Sequence, residues 1–150
     1  NWRELWQDAD MPFLLVQLPN FMEKHAQPTE SGWAGIREAQ LKVAKTVANT
    51  AMATTYDVGE WNDIHPLDKK SVAQRLFLGA RKLVYGEKVQ ASGPIYKEMK
   101  VEGNKAIITF TEVGGGLKCK GEKLKHFAVA GADKKFYWAT KKPPSRAVLL

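Results

Sequence analysis

The chain has 150 residues, of which 44% are apolar and 26% are charged, and its formal net charge at pH 7 is +7. This size and composition suit one globular domain or parts of two, and no apolar run approaches the roughly 20 residues that a membrane-spanning helix needs. The single cysteine excludes an intrachain disulfide and a cysteine-based metal site. The lysines are scattered, without an arginine stripe, a zinc knuckle or an RNA-binding aromatic motif, so we expect a solvated surface with no nucleic-acid and no membrane partner.

The first elements that the sequence predicts are a strand and a helix. Pro12 to Leu18 is a continuous apolar run, which is typical of a strand buried on both faces of a parallel sheet. Apolar residues then recur at helical spacing from Trp33 to Val47, and either Thr29 or Ser31 is available as the N-cap.

A second strand and a second helix follow. The run from Thr50 to Val58 predicts a strand, and the helix begins after Pro66 with Asp68 as its cap and ends near Gly86. The inner face of this helix consists of Val72, Leu76, Gly79, Ala80 and Leu83. The order strand, helix, strand, helix predicts an α/β fold with a parallel sheet and right-handed crossovers.

Beyond Gly86 the predicted elements are short strands without helices. They cover Ile95 to Val101, Ala106 to Thr111, Leu124 to Ala130, Lys135 to Thr140 and a last segment from Ala147 to Leu150. Strands at this spacing predict antiparallel β-sandwich elements, and we expect the sandwich to be incomplete or to be completed by other residues. We therefore divide the chain into an α/β part, residues 1–88, and a β-sandwich segment, residues 89–150.

The segment from Asp57 to Lys70 carries the residues best suited to catalysis. It places His65 near carboxylates beyond the carboxyl end of the second predicted strand, the edge at which α/β sheets gather their chemistry. In a serine hydrolase a histidine takes the serine proton and returns one to the leaving alcohol, while an acid holds its tautomer. On spacing alone, a capping or packing histidine remains an alternative to a catalytic one.

Eight short segments carry a family resemblance. They are Val16-Gln-Leu-Pro-Asn-Phe21, Ser31-Gly-Trp-Ala34 with Arg37-Glu-Ala-Gln40, Gly59-Glu-Trp-Asn-Asp-Ile-His-Pro66, Leu83-Val-Tyr-Gly-Glu-Lys88, Ser92-Gly-Pro-Ile-Tyr96, Glu102-Gly-Asn-Lys105 and Phe127-Ala-Val-Ala-Gly131. In this order, over nearly the whole chain, they resemble the sialate O-acetylesterase family of GDSL-type (SGNH) hydrolases. No single segment suffices, but the set is specific.

The resemblance implies a fold, a reaction and a substrate. Residues 1–88 would be the C-terminal part of a flavodoxin-like SGNH catalytic domain, and residues 89–150 the accompanying β-sandwich segment. The implied activity is hydrolysis of acetyl esters on sugars, with sialic acid as the expected substrate and no metal or organic cofactor. By the same resemblance His65 is the triad histidine, and a secreted, periplasmic or lysosomal location is expected.

The resemblance also implies that the nucleophilic serine and the oxyanion groups lie in a segment that precedes Asn1, so we expect this chain alone to be inactive. Its own serines fit structural roles. Ser31 and Ser71 fall at the start or in the first turn of predicted helices, and Ser92 and Ser145 lie in linkers.

The identity of the triad acid is open. The family places its acid three residues before the histidine, and that position is Asn62 here. Asp63 is the nearest carboxylate, and we favour it as the acid that orients His65. The alternative is a Ser-His dyad oriented by Asn62 or by a backbone carbonyl, while Asp57 fits a strand end or a turn.

Two further residues are candidates for substrate binding. Trp61 would stack on a sugar ring, although a tryptophan that anchors the loop to the core is an equal alternative. Asn20 ends the first predicted strand on the same side and would donate a hydrogen bond to substrate, with turn formation as its alternative role.

The main functional hypothesis is therefore a carbohydrate O-acetylesterase that uses a Ser-His(-Asp) mechanism with an external serine. The alternative from another class is a non-catalytic carbohydrate-binding or structural module derived from such an esterase.

Overall fold

The computed structural model describes residues 1–103, 105–119, 121, 124–139 and 147–149. Four residues named above lie outside them: Asn104, Thr140, Ser145 and Leu150. The chain divides into two compact units. The first comprises Asn1–Lys24 and Ser31–Ser92, and the second comprises His25–Glu30 and Gly93–Leu150.

The first unit contains a two-stranded parallel sheet and three helices. In chain order these elements are α1 (Trp2–Leu5), β1 (Phe13–Val16), α2 (Gly32–Thr46), β2 (Thr50–Ala53) and α3 (Lys69–Leu83). Phe13 lies opposite Thr50, and Val16 lies opposite Ala53. The predicted order of elements and the parallel pairing are confirmed, although both strands are shorter than predicted.

Local capping chemistry determines where the two long helices begin. The Ser31 hydroxyl accepts a hydrogen bond from the amide of Ala34 at 3.4 Å, and Asp68 Oδ1 accepts one from the amide of Ser71 at 2.9 Å. These side chains satisfy amides that have no partner within the helix. The prediction of Asp68 as a cap is confirmed, and of the two proposed caps for α2 the structure selects Ser31.

The predicted inner face of α3 packs on the sheet. Gly79 is buried, and a Cβ atom added there would lie 3.2 Å from both Ala51 Cβ and Leu14 Cδ2. Because these distances are tighter than ordinary carbon contacts, glycine permits the close approach of α3 to both strands. The other four residues of the predicted face are partly buried: Val72, Leu76, Ala80 and Leu83.

The prediction that the first strand is buried on both faces is wrong for the described residues. Leu14 and Val16 are 37% and 44% exposed, whereas Phe13 and Leu15 are partly buried. The sheet that the structure describes has two strands, so α2 and α3 cover only part of each face. An apolar run indicates which side chains can be buried and not how many neighbours cover them.

Helix α1 was not predicted from the sequence. Asn1 and Glu4 form a reciprocal capping box, in which the Asn1 side chain accepts from the Glu4 amide and the Glu4 carboxylate accepts from the Asn1 backbone nitrogen. Arg3 then donates to the carbonyl oxygens of Met11 at 3.0 Å and Ala48 at 2.6 Å. The short helix is thereby attached to the chain that leads into β1 and to the chain that follows α2.

The second unit consists of short antiparallel strands. They are β3 (Ile95–Glu102), β4 (Lys105–Thr111), β5 (Ala128–Ala130), β6 (Phe136–Trp138) and β7 (Ala147–Leu149). β3, β4 and β7 form one antiparallel sheet in that order, and β5 pairs with β6 in another. The antiparallel pairing is confirmed, while sandwich packing stays a prediction.

One predicted strand begins later than expected. The prediction placed it from Leu124 to Ala130, but β5 starts at Ala128. His126 has a φ of 67°, which an extended strand cannot include. No helix in the described part of the chain has both the length and the apolar character needed to cross a bilayer.

Candidate active site

The loop between β2 and α3 brings His65 and Asp63 together. Asp63 Oδ1 accepts a hydrogen bond from the backbone amide of His65 at 2.7 Å and lies 3.0 Å from His65 Nδ1. An aspartate that bonds the amide two residues on is a common local turn. The turn orients the imidazole of His65 so that Nδ1 faces the Asp63 carboxylate.

The other ring nitrogen of His65 is open. The side chain of His65 is 80% exposed, and that of Asp63 is 44% exposed. Among the residues that the structure describes, His65 Nε2 has no hydrogen-bond partner. When Nδ1 carries the proton toward Asp63, Nε2 is left as a proton acceptor, which is the tautomer that a general base requires.

Hydrogen bonding keeps Asp63 ionised. The amide of His65 has the largest effect in lowering the pKa of Asp63, and the His65 side chain lowers it further. The positive charge of Lys69 acts in the same direction. The carboxylate of Asp63 is therefore an anion at neutral pH.

An arginine on α3 holds the start of the same loop. Arg75 donates to the carbonyl oxygen of Thr54 at 2.5 Å and to both carboxylate oxygens of Asp57 at 2.6 and 2.7 Å. The hydrogen bond to Asp57 raises the pKa of Arg75. A two-point arginine–carboxylate pair fixes orientation as well as distance, so Asp57 serves as the turn residue that the sequence favoured.

The ends of the two strands are joined through buried polar groups. Thr55 is completely buried, and its hydroxyl donates to the carbonyl oxygen of Gln17. The Gln17 side chain donates to the Arg37 carbonyl at 3.2 Å, and the Arg37 guanidinium donates to the Pro19 carbonyl at 3.2 Å. These contacts connect the loop after β2, the end of β1 and α2.

The segment that leaves β1 lies directly against the histidine loop. A Cβ atom added to Gly59 would stand 2.5 Å from both the backbone oxygen and Oδ1 of Asn20. The amide of Met22 donates to the carbonyl oxygen of Trp61 at 2.8 Å. Asn20 Oδ1 is buried and has no hydrogen-bond partner among the described residues, whereas the Trp61 side chain is 59% exposed. Trp61 is thus not anchored in a core by its ring.

The chain is similar to esterases of known sequence and structure. No protein-family model matches the chain. Human sialate O-acetylesterase is 33% identical over 128 residues, covering 74% of this chain and 24% of that protein. The Mus musculus enzyme is 32% identical over 128 residues, covering 74% of this chain and 23% of that protein. A carbohydrate acetylesterase of known structure from Xanthomonas citri superposes with a TM-score of 0.83 and 35% identity.

This chain belongs to the sialate O-acetylesterase family. The superposition with the Xanthomonas citri protein covers 99% of this chain and 34% of that chain, and it supports an SGNH-like α/β fold. The chain therefore spans about a quarter of the length of the human relative and about a third of the solved structure.

The three serines that the structure describes, Ser31, Ser71 and Ser92, each take part in a local hydrogen bond. Ser31 caps α2, and the Ser71 hydroxyl donates to Asp68 Oδ2 at 2.5 Å, which lowers the pKa of Asp68. The described contact of Ser92 is made by its backbone oxygen, which accepts from the Gln90 side chain at 2.9 Å. The prediction of Ser31 as a possible cap is confirmed, and Ser71 lies in the first turn of α3 as predicted.

Asn62, which occupies the position of the family's usual acid, is exposed. No hydrogen bond joins Asn62 to His65 in the part of the chain that the structure describes, whereas Asp63 contacts both the amide and the ring of His65. Within the described ranges there is also no group of three or more His, Cys, Asp and Glu residues that could hold a metal ion.

Sequence reasoning missed three residues that shape this loop: Thr55, Gly59 and Arg75. The partners Asp57 and Arg75 are 18 residues apart, and no local pattern links them. A signal did exist for Gly59, because a glycine just before a catalytic candidate marks close backbone approach.

Proposed function

We propose that this chain is the histidine-bearing part of a carbohydrate O-acetylesterase that acts on O-acetylated sialic acid. In this proposal His65 is the general base, Asp63 is the acid that orients it, and the nucleophilic serine comes from a segment outside the chain. The observation that carries the proposal is the exposed imidazole of His65, with Nδ1 3.0 Å from Asp63 Oδ1 and Nε2 open. The relatives named as sialate and carbohydrate acetylesterases support the reaction and the class of substrate.

The chemistry runs in two balanced halves. The serine hydroxyl attacks the acetyl carbonyl while His65 Nε2 takes its proton, and the imidazolium then gives that proton to the sugar oxygen as the ester bond breaks. Water next attacks the acyl-enzyme, again losing a proton to His65, and acetate leaves as the serine recovers its proton. Asp63 stabilises the imidazolium, although its partial exposure limits this effect.

Two residues are proposed to bind substrate: Trp61, which lies in the same loop as His65, and Asn20, which lies in the segment that leaves β1. The exposed ring of Trp61 is available to stack on a sugar ring, because tryptophan contributes a broad apolar face. Asn20 lies beside Gly59 at the same edge of the sheet, and we propose that its side-chain NH2 group donates a hydrogen bond to the substrate, since its Oδ1 is buried.

The partly uncovered sheet is consistent with an external serine. Leu14 and Val16 present apolar area on a parallel sheet whose faces are normally covered by helices. We propose that the rest of the esterase packs there and places its serine near His65.

The test uses the full-length protein that contains this chain. His65→Ala should lower kcat for acetate release from an O-acetylated sialic acid by about a thousandfold or more, since removal of a triad member leaves only the remaining catalytic effects. His25→Ala is the matched control, because His25 is also exposed, and it should leave kcat unchanged. Turnover near the wild-type value in His65→Ala would remove this residue from the mechanism.

A non-catalytic carbohydrate-binding or structural module is the second candidate. It is favoured by one observation, namely that none of the described serines forms a hydrogen bond with His65. The two candidates differ in the sequence upstream of Asn1, where an esterase must carry a GDSL-type serine motif. A full-length protein without that motif that binds acetylated sugars and releases no acetate would support the module.

A further inference from the structure

We infer that Gly59 and Arg75 are positioning residues for His65, which the loop between β2 and α3 carries. This inference rests on the proposed function for its catalytic meaning, but the contacts themselves are independent of it. In the described part of the chain, no hydrogen bond joins either residue to the ring of His65. They act on the loop at separate points. Gly59 permits a close approach that a side chain would block, and Arg75 forms charged hydrogen bonds to the loop.

Gly59 sets how closely the loop approaches the end of β1. A Cβ atom at this position would lie 2.5 Å from the backbone oxygen of Asn20 and 2.6 Å from Pro19 Cβ. Pro19 is buried, and its carbonyl is bonded to Arg37, so this partner segment is restrained. Gly59 does not have a positive φ, so any side chain is excluded by contact alone and not by backbone conformation. An added methyl group must therefore displace the loop.

Displacement at Gly59 would reach His65 along the chain. Two residues after Gly59, the carbonyl oxygen of Trp61 accepts the Met22 amide at 2.8 Å, and this bond is the next attachment between the two segments. Asp63 and His65 follow directly, joined to each other by their own turn. Because that turn is local, it should move as a unit when the loop shifts.

Arg75 restrains the other part of the loop, close to β2. Its guanidinium spans the Thr54 carbonyl and both oxygens of Asp57. A lysine at this position would keep the charge but could not span three acceptors with a planar fork. Arg81, also on α3, makes a comparable exposed pair with Glu87 at 2.5 and 2.8 Å and lies away from the loop in sequence, so it provides a matched control.

The test is made in the full-length protein with Gly59→Ala, and Gly35→Ala is the control because a Cβ atom at Gly35 meets nothing within 4 Å. Gly59→Ala should lower kcat about ten- to a hundredfold while changing KM little, since a shift of about 1 Å at a catalytic group can cost that much. Deuterium exchange of the Met22 amide should accelerate in Gly59→Ala. Gly35→Ala should match wild type in both measurements.

A kcat within about twofold of wild type in folded Gly59→Ala, or an equal loss in Gly35→Ala, would overturn the inference. If Gly59→Ala does not fold, Arg75→Lys against Arg81→Lys makes the same comparison, with a selective loss of kcat expected only in Arg75→Lys. If wild type releases no acetate, the proposed function fails, and Met22 exchange alone decides the positioning role. Faster exchange in Gly59→Ala then supports that role, and unchanged exchange overturns it.

Discussion

At each end of the β1–β2 sheet an arginine anchors the neighbouring loop, but the surroundings of the two arginines differ. At the amino end, Arg3 binds the carbonyl oxygens of Met11 and Ala48, and its guanidinium lies 5.3 Å from the Phe13 ring centroid. At the carboxyl end, Arg75 binds the Thr54 carbonyl and the Asp57 carboxylate. Both arginines stabilise irregular chain by satisfying backbone oxygens.

The amino and carboxyl ends of the sheet differ in the groups that neighbour the arginine. The amino end contains a mainly apolar depression of about 280 Å³, lined in part by Trp2, Leu15 and Val47. The carboxyl end presents an exposed histidine bonded to an ionised aspartate. An arginine that anchors a loop is therefore a structural feature common to both ends of the sheet. The pair of His65 and Asp63 distinguishes the carboxyl end as the one suited to catalysis.

Of the substitutions that compare the two ends, we expect Asp63→Asn to have the largest effect on kcat. In the full-length protein Asp63→Asn should lower kcat for acetate release about ten- to a hundredfold, because an amide can orient the imidazole but cannot stabilise imidazolium by charge. Asp8→Asn at the amino end is the matched control, since Asp8 Oδ1 accepts the Asp10 amide at 3.0 Å in the same two-residue arrangement. Equal activity in Asp63→Asn and Asp8→Asn would favour the Ser-His dyad.

A second prediction concerns the pKa of Asp63. Hydrogen bonds from His65 lower the pKa of Asp63 below 3.8, with the backbone amide as the largest cause. In His65→Ala the pKa should rise but stay below the ordinary value, because alanine keeps the amide and loses the ring. A carbon NMR titration of the carboxyl group measures this. A pKa unchanged by His65→Ala would show that the ring does not interact with Asp63.

The sign of the linked stability change follows from the same pKa. A carboxyl group whose pKa is lowered by folding contributes stability above its unfolded pKa, and that contribution is lost as the pH falls through the folded value. For Asp63 the loss should therefore occur below about pH 3.8, and a difference between wild type and Asp63→Asn should vanish in strong acid.

The smallest effect on activity is expected at the amino end. Arg3→Ala should lower the free energy of unfolding by about 1 to 2 kcal/mol, because it removes charged hydrogen bonds to two carbonyl oxygens that are partly exposed. Chemical denaturation measures the change, and kcat should stay within about twofold of wild type. A large loss of kcat at constant stability would contradict the assignment of a purely structural role to this end.

Local chemistry explains which features were predictable from the sequence. The caps Ser31 and Asp68 act on amides three residues away, and the order of strands and helices implied parallel pairing. The capping box of Asn1 and Glu4 was equally local, but it precedes a helix of only four residues without apolar periodicity. His65 could be predicted as a catalytic candidate because a histidine suits proton transfer and because it follows a strand of a parallel sheet, where active sites lie.

Other features depend on contacts that a sequence does not encode locally. The pairing of Asp57 with Arg75, and the approach of Gly59 to Asn20, join segments separated by at least 18 residues. The exposure of Leu14 and Val16 depends on how many strands and helices surround them. Such contacts follow from tertiary packing and appear only once the chain is folded.

The most direct measurement is a crystal structure of the full-length protein after inactivation with an alkyl phosphonofluoridate, which labels activated serines. We expect one phosphonylated serine outside this chain, with its Oγ within about 3.2 Å of His65 Nε2. Labelling of a serine whose Oγ lies more than about 6 Å from that nitrogen, beyond reach even through one water, would contradict the assignment of His65 as the general base.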